Sequence, residues 1–323
     1  MSARHVFVTG GNGCIGSVTI RDLLKAGVER VTVATRSAGR GSLPLWLEEP
    51  DYERVTFAAL DLADRDAIHT AVDAARPTHV IHLGAFQTPD CEAHPDLGMQ
   101  VNVGGTMHLL AASADCGSVE RFVFASSAAV YGLRDRYPGP TVSESEELAP
   151  PNLYGVWKVA GEQLARQFHE RTGIATVSLR LNTTYGPGRD RGKTAAGTEA
   201  IKATARGIAS GSAEPFRMPY GGRENYHYVE DVGAAFAQSA LEPFEGHAAL
   251  NIRGTTLPVT EFLGMVTAAA AERGHEPDLG LAEDAAPNPF VCDLDESAIL
   301  ARFPQMPKTP VSTGIDRTLK HLL

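Results

Sequence analysis

Short, continuously apolar runs rich in β-branched residues alternate along the first half of the chain with longer segments whose apolar residues follow helical spacing. The runs predict strands at 5–9, 30–35, 55–58, 78–83, 121–125 and 176–180. The longer segments predict helices at 15–25, 65–75, 96–114 and 153–171. Strands without in-and-out alternation are covered on both faces, so this order predicts an α/β fold with a Rossmann-type doubly wound parallel sheet.

The second half of the chain has a different composition. The change begins at Gly186-Pro187-Gly188 and continues as a Gly- and Ala-rich stretch to Gly222. Further strands are predicted at 226–229 and 249–252, and helices at 259–272 and 312–322, with a Pro-punctuated tail over 277–310 between the two helices. We therefore predict a sheet domain over 1–185, with returns near 225–253, and a smaller, interleaved C-terminal lobe over 186–323.

Charge and composition exclude several classes of protein. Twenty-nine basic and 39 acidic residues give a formal charge of −10, and no Lys/Arg stripe offsets it, so nucleic acid is not an expected partner. No apolar run approaches the ~18 residues of a membrane span, and Met1 to Arg4 lead into the first strand without a secretory signal, so we expect a cytoplasmic protein.

The cysteines give no sign of a disulfide framework or a zinc site. Cys14, Cys91, Cys116 and Cys292 are scattered, without a CxxC motif or a His at ligand spacing. This usage is typical of a reducing compartment, where such residues pack as small apolar side chains, and we expect no metal.

A glycine-rich loop follows the first predicted strand and opens the first helix. Its glycines, Gly10, Gly13 and Gly16, allow a tight turn, close approach of a pyrophosphate to backbone N–H groups, and close packing of helix on strand. This strand-to-helix context predicts a dinucleotide site.

The end of the second strand bears on the choice of dinucleotide. An acid normally binds the ribose 2′-hydroxyl of NAD there, but this chain has Arg36, with Arg40 nearby. A guanidinium fork suits a 2′-phosphate, which favours NADP over NAD; the alternative is that Arg36 is a solvated loop residue. Asp61 and Leu62 follow the third strand and are predicted to meet the adenine ring, although Asp61 could instead cap a helix.

A tyrosine and a lysine share one face of a predicted helix. Asn152 can cap this helix, and Tyr154 and Lys158 lie four residues apart in its first turns. A neighbouring cation stabilises a phenolate, so we expect Lys158 to lower the pKa of Tyr154 and allow proton exchange with an alcohol or ketone. Ser126 and Ser127 end a strand at the edge of the sheet where such folds bind ligands.

Several motifs together resemble one family. They are Thr-Gly-x-x-Gly-x-x-Gly at 9–16, Val-Ile-His-Leu-Gly-Ala at 80–85, Asn-Val-Gly-Gly-Thr at 102–106, Ser-Ala-Ala-Val-Tyr-Gly at 127–132 and Tyr154-xxx-Lys158. This set resembles the extended short-chain dehydrogenase/reductases, the NAD-dependent epimerase/dehydratase family. Arg180 and segments 185–188, 226–232 and 295–322 fit the same pattern, so the resemblance runs nearly end to end.

The resemblance implies roles for individual residues. Tyr154 would be the general acid/base, Lys158 would bind the nicotinamide ribose and lower the pKa of Tyr154, and Ser127 would hydrogen-bond the reacting oxygen, whereas Ser126 is expected to be structural. The implied cofactor-binding residues are Gly10, Asn12, Gly13, Cys14, Ile15, Gly16, Arg36, Asp61, Leu62, Leu83, Ala85, Asn102 and Lys158. The resemblance also implies that residues 1–185 bind the dinucleotide, that the C-terminal lobe binds substrate, and that a homodimer forms through helices 96–114 and 153–171.

The chain departs from the pattern of many nucleotide-sugar members, which carry Arg-Asp-aromatic where this chain has Glu224 preceded by Arg223. A carboxylate repels a diphosphate. Thr183 stands where an asparagine is usual, and both changes weaken the case for a nucleotide sugar. Five cations could meet a carboxylate or phosphate, although most are expected to be solvated: Arg189, Arg191, Lys193, Arg217 and Arg223. His82 and His227 could carry protons, but a satisfied core residue is the favoured interpretation for His82.

The leading hypothesis is an NAD(P)-dependent oxidoreductase that moves a hydride at a secondary alcohol or ketone of a small polar, carbohydrate-derived substrate. The first alternative is a sugar or nucleotide-sugar epimerase or dehydratase that retains its bound nicotinamide. The second alternative is a dinucleotide-binding regulator without catalysis, against which the intact Ser127, Tyr154 and Lys158 argue.

Overall fold

The computed structural model describes residues 4–323. The strands are β1 (His5–Thr9), β2 (Arg30–Thr35), β3 (Val55–Ala59), β4 (His79–His82), β5 (Arg121–Ser127), β6 (Ala175–Leu181), β7 (Thr183–Tyr185), β8 (Phe216–Met218), β9 (Arg223–Tyr228), β10 (His247–Asn251), β11 (Thr255–Pro258) and β12 (Leu279–Leu281). The helices are α1 (Cys14–Lys25), α2 (Arg65–Ala75), α3 (Thr88–Ala93), α4 (Pro95–Met99), α5 (Gly105–Asp115), α6 (Leu153–Thr172), α7 (Ala196–Ser210), α8 (Val229–Leu241), α9 (Val259–Ala271), α10 (Ser297–Arg302) and α11 (Val311–Leu322).

Seven parallel strands form the central sheet, in the order β10-β6-β5-β4-β1-β2-β3. This arrangement confirms the predicted doubly wound α/β fold. Strand β1 lies between β2 and β4, so the strand order reverses there. Ligands of such sheets bind outside the carboxyl ends of the strands at this reversal.

Helices cover both faces of the sheet, which explains why its strands are apolar throughout. On one face, Ile20 and Leu23 of α1 pack with Phe236 of α8. On the other face, Val72 of α2 and Leu110 of α5 belong to a second apolar cluster with α6. Burial of apolar side chains on both sides stabilises the sheet and holds its carboxyl edge in place.

Two smaller sheets extend the molecule beyond the central one. One has the order β11-β9-β7 and the other pairs β12 with β8. Helices α7, α9 and α11 pack with them around an aromatic cluster in which the rings of Tyr226 and Phe262 stack with centroids 4.4 Å apart. The chain then returns to the central sheet through β10, so the second half is interleaved with the first.

The segment predicted as one helix over 96–114 is interrupted. Helix α4 ends at Met99, a π-helical turn covers Gln100–Gly104, and α5 begins at Gly105. In this turn the Asn102 side chain faces the backbone of Phe86, which it hydrogen-bonds at 2.8 and 3.0 Å. The spacing of apolar residues within the segment cannot predict this tertiary contact.

Several strand ends differ from the prediction by one to three residues, and two of them bear on the site. Strand β5 continues to Ser127, two residues further than expected, because it pairs with β6 over its whole length. Strand β9 ends at Tyr228, and Val229 opens α8 instead. Residues 4–323 form no helix that is both long and apolar enough to cross a membrane.

Candidate active site

A cleft of about 850 Å³ opens at the carboxyl ends of β1, β2 and β4. It is lined by the glycine loop, by the residues that end β2, and by the segments that follow β3 and β4. The predicted cofactor residues among its lining are Gly10, Asn12, Gly13, Cys14, Arg36, Asp61, Leu62 and Ala85. The structure therefore brings most of the predicted set to one cleft.

The glycine loop forms the floor of this cleft. Gly10 has a φ of +66°, and its N–H donates to the carbonyl of Ala34 at 2.9 Å, which ties the loop to β2. A Cβ at Gly16 would lie 2.5 Å from the carbonyl oxygen of Gly10, so only glycine allows α1 to begin here. The first N–H groups of α1 have no intrahelical acceptor and are available to an anion in the cleft.

The cleft fits a dinucleotide, as judged by its volume, by these N–H groups and by a polar atom that lacks a partner. The Thr35 hydroxyl is buried at the end of β2 and makes no hydrogen bond with the described residues. Such a group is normally satisfied, and a ribose hydroxyl or phosphate could satisfy it.

Arg36 and Arg40 have different environments. The Arg36 side chain is exposed at the mouth of the cleft, and its guanidinium lies 5.8 Å from the centre of the Phe86 ring. The Arg40 guanidinium is occupied: it donates to Glu49 at 2.6 Å and stacks on Tyr52 at 3.9 Å. Of the two cations near the end of β2, only Arg36 faces the cleft.

The remaining predicted cofactor residues have varied positions. Asp61 accepts the N–H of Ala63 at 2.9 Å and so stabilises a turn, whereas the cap of α2 is Asp64. Ile15 and Leu83 line a second cavity instead of the cleft. Asn102 is buried and reaches neither cavity, but its bonds to Phe86 fix the segment that runs past both.

The second cavity, of about 430 Å³, adjoins the first. Ser127, Tyr154 and Lys158 all line it. The two cavities share four lining residues, which are Ala85, Phe86, Gln87 and Arg189. A ligand that extends from the glycine loop would therefore reach the predicted catalytic residues.

The start of α6 sets the direction of Tyr154 and Lys158. The side chain of Asn152 accepts the N–H of Gly155 at 2.9 Å and caps the helix, as predicted. A Cβ at Gly155 would clash with the carbonyl of Ala129, so glycine lets the helix approach the turn that follows Ser127. The first turn of α6 thus packs directly beside the end of β5.

The pKa values of Tyr154 and Lys158 differ from the prediction. Burial raises the pKa of Tyr154 to about 12, opposed by the Ser127 hydrogen bond and then by the charge of Arg189. Lys158 instead donates to the carbonyl of Ala125 at 2.7 Å, with its Nζ 5.4 Å from the centre of the Tyr154 ring, and burial lowers its own pKa to about 8. The expected lowering of the Tyr154 pKa by Lys158 is wrong for the protein alone, because desolvation exceeds the charge effects.

Ser126 lines the second cavity, but its hydroxyl is bound into a buried network. Its hydroxyl donates to Glu162 at 2.5 Å, and Glu162 forms a two-pronged ion pair with Arg180 at 2.7 and 2.8 Å. Arg180 also donates to Tyr131 at 2.6 Å. This network joins β5, α6 and β6 beneath the site and agrees with a structural role for Ser126.

The two departures from the nucleotide-sugar pattern are hydrogen-bonded to each other. Glu224 is buried and accepts hydrogen bonds from the Thr183 hydroxyl and from the Asn288 amide, the latter at 2.6 Å. Burial raises its pKa. Asn288 lines the second cavity, whereas Arg223 is exposed and lines neither cavity.

Both candidate histidines have partners within the protein. His82 contacts the hydroxyls of Thr9 at 2.6 Å and Thr106 at 3.0 Å. His227 accepts the N–H of Asn182 at 3.0 Å and faces the carbonyl of Arg253 at 2.7 Å. Both are buried, with pKa values lowered by desolvation to about 3 and about 4. The favoured interpretation of His82 is confirmed, and within residues 4–323 no group of His, Cys, Asp and Glu is arranged to hold a metal.

Sequence reasoning missed several lining residues. Thr35, Phe86 and Gln87 follow or end strands at the reversal of strand order, so the strand-end rule could have found them. Asn288 comes from the Pro-rich tail, where no pattern in the sequence marks it. Arg189 was among the five candidate cations, but the sequence does not show that it lines both cavities.

Comparison with known proteins places this geometry in context. A model of the NAD dependent epimerase/dehydratase family matches residues 6–252. A D-erythronate dehydrogenase from Cupriavidus necator is 33% identical over 189 residues, 55% of each chain, and a UDP-glucose 4-epimerase from Streptomyces lividans is 32% identical over 192 residues, 58% of this chain and 54% of its own. The chain thus spans about half the length of these relatives.

A solved structure resembles the whole chain. The UDP-glucose 4-epimerase of Thermus thermophilus, in complex with NAD, superposes with a TM-score of 0.79 and 28% identity, covering 98% of both chains.

Proposed function

The chain belongs to the NAD-dependent epimerase/dehydratase family, and from this premise we propose that it is an NAD(P)-dependent oxidoreductase acting on a secondary alcohol or ketone of a small polar, carbohydrate-derived substrate. One observation carries the proposal: Ser127, Tyr154 and Lys158 line a cavity that adjoins a dinucleotide-sized cleft. A regulator that only binds dinucleotides has no need of such a set.

In the oxidation direction, the carbinol carbon loses a hydride and its hydroxyl loses a proton, leaving a ketone. When held in the cleft that Gly10, Gly13 and Ala85 line, an oxidised nicotinamide dinucleotide would supply the hydride acceptor and a positive charge that favours the phenolate of Tyr154. Tyr154 takes the hydroxyl proton and passes it to solvent, while Ser127 holds the reacting oxygen. Lys158, fixed by Ala125, supplies a second positive charge behind the phenol.

The Glu224 cluster supports a small substrate rather than a nucleoside diphosphate. A grip on a diphosphate needs a cation, but the position carries a carboxyl group whose two oxygens are already used by Thr183 and Asn288. A diphosphate at that position would therefore lack its cation and face a carboxyl group. The neighbouring Asn288 amide is instead suited to hydroxyl groups.

We expect NADP to be preferred over NAD. Strand β2 ends without an acid that could bind a ribose 2′-hydroxyl, and Arg36 faces the cleft at that point. A 2′-phosphate would give its guanidinium a charged partner, whereas two hydroxyls would not.

The second candidate is an epimerase or dehydratase that retains its nicotinamide, which is favoured by the relatives named UDP-glucose 4-epimerase. The relative named D-erythronate dehydrogenase provides the first substrate to test. We expect free NADP⁺ to be reduced over many turnovers with D-erythronate or a related small polyol. Cofactor that stays bound through purification, with interconversion of UDP-sugars and no net reduction, would favour the epimerase.

We also expect a homodimer. Four large apolar side chains, Leu97, Met99, Met107 and Val156, are exposed on α4, α5 and α6. These are the helices through which the family resemblance implies pairing, and a second copy would cover them. Sedimentation equilibrium should give twice the 34.4 kDa of one chain, and a monomer at micromolar concentration would contradict this expectation.

A further inference from the structure

The second cavity has a charge opposite to that of the molecule. Three cations line it, namely Lys158, Arg189 and Lys193, and none of its lining residues, all within 4–323, is Asp or Glu. The chain as a whole carries a formal charge of −10. A cationic cavity in an acidic protein favours an anionic ligand.

Arg189 has the most specific position of the three. It follows β7 in the loop that begins at Gly186, and it lines both cavities at their junction. One guanidinium nitrogen donates to the Thr194 hydroxyl at 3.0 Å, but Nε is buried and has no hydrogen-bond partner among the described residues. The adjacent Asp190 pairs with Lys202 and does not neutralise Arg189.

A buried guanidinium N–H without an acceptor is costly, so this group is expected to find one in the functional complex. A guanidinium presents its donors as a planar fork that matches the two oxygens of a carboxylate. The charge of Arg189 also acts on Tyr154, where it opposes the effect of burial on the phenol pKa. Arg189 and Tyr154, the proposed proton-transfer group, also line the same cavity.

We propose that Arg189 binds the carboxylate of a small hydroxy acid and so orients the substrate hydroxyl toward Tyr154. This inference rests on the proposed oxidoreductase function and specifies its substrate as an anion such as an aldonate. Lys193 adds a weaker, screened attraction, because its side chain is exposed and its Nζ lies 5.9 Å from the centre of the Tyr220 ring.

A competing role for Arg189 is contact with the cofactor pyrophosphate, since it also lines the first cleft. The two roles separate in experiment. A substrate role affects acids more than neutral alcohols and leaves cofactor affinity unchanged, whereas a pyrophosphate role weakens the cofactor and affects all substrates alike.

The test compares Arg189→Gln, Arg189→Lys and the control Arg206→Gln, which removes an exposed charge of α7 that is paired with Glu214 and lines neither cavity. Each is assayed with D-erythronate and with the neutral alditol erythritol, and NADPH affinity is measured by fluorescence. For Arg189→Gln we expect kcat/KM with the acid to fall about a hundredfold and NADPH affinity to be unchanged. The value with the alditol should fall at least about tenfold less than the value with the acid, because the alditol loses only the effect of the Arg189 charge on Tyr154. The lysine variant should be intermediate, because it keeps the charge and loses the fork.

Equal losses with acid and alditol, or a matching loss of NADPH affinity, would overturn the assignment. A binding experiment distinguishes this inference from the proposed oxidoreductase activity. Calorimetric titration of D-erythronate into the protein saturated with NADPH should show binding in the wild type and in Arg206→Gln and none in Arg189→Gln. If turnover is absent but this difference persists, the carboxylate site stands without the proposed activity; if the wild type binds no aldonate, the inference is wrong.

Discussion

The two cavities meet at one edge of the central sheet, but they are assembled in different ways. The cofactor cleft is built mainly from backbone turns that directly follow β1, β2 and β4. The second cavity combines side chains from distant parts of the chain, from Ile15 to Phe290. The cleft thus depends on local backbone geometry, whereas the second cavity depends on individual side chains. One of these, Asn288, is held from behind by Glu224, which is itself bonded to Thr183.

The largest effect is expected from a change of the proposed proton-transfer group in the second cavity. Tyr154→Phe removes the hydroxyl that we propose relays the proton, so turnover should fall about a thousandfold while NADP(H) affinity stays within about twofold. Steady-state kinetics and fluorescence titration measure the two quantities. Tyr52→Phe is the matched control, because the Tyr52 hydroxyl makes no hydrogen bond with the described residues. Full activity in Tyr154→Phe would show that another group carries the proton.

The next effect concerns the cleft alone. Arg36→Asp places a carboxylate where a 2′-phosphate is expected, and the ratio of kcat/KM for NADP to that for NAD should fall about a hundredfold. Arg36→Ala removes the attraction without adding repulsion and should shift the ratio less. Neither variant should change the KM for substrate. An unchanged ratio in both variants would mean that Arg36 does not read the 2′ position.

A smaller effect is expected from Glu224, which holds the Asn288 side chain of the second cavity. Glu224→Gln replaces one acceptor oxygen by a donor, so the hydrogen bonds from Thr183 and Asn288 can no longer both form. We expect a loss of about 1–3 kcal/mol in unfolding free energy and a rise of about tenfold in substrate KM, because the Asn288 amide loses its fixed orientation. Thr183→Val, which removes only the other donor, should affect KM less. A change in cofactor affinity as well would show that the two cavities do not bind their ligands independently.

The smallest effect on either cavity is expected from acid pH, which lowers the unfolding free energy of the fold that holds both cavities. His82 and His227 are neutral when folded, with pKa values near 3 and 4 against 6.5 when unfolded. Below pH 6.5 the unfolded chain binds protons that the folded chain does not, so the unfolding free energy should fall as pH is lowered toward 4. Each histidine contributes about 1.4 kcal/mol per pH unit. Urea unfolding of wild type and His82→Asn checks this: a slope equal in both proteins would contradict it.

The difference between the cavities also explains what the sequence could predict. The order of strands and helices, the glycine loop and the Asn152 cap follow from local patterns, and the structure agrees with them. The π-helical turn at Gln100–Gly104 and the occupied guanidinium of Arg40 depend on contacts with remote residues. The pKa of Tyr154 depends on desolvation, which helical spacing cannot give.

The central claim is that this site exchanges hydride between a substrate and a nicotinamide that is then released. The most direct measurement follows deuterium from the carbinol carbon of a labelled hydroxy acid by mass spectrometry of the nicotinamide in solution. The account predicts labelled NADPH in excess over enzyme, formed about a thousandfold more slowly in Tyr154→Phe. Label that returns to the substrate within each turnover, or never leaves it, would contradict the account.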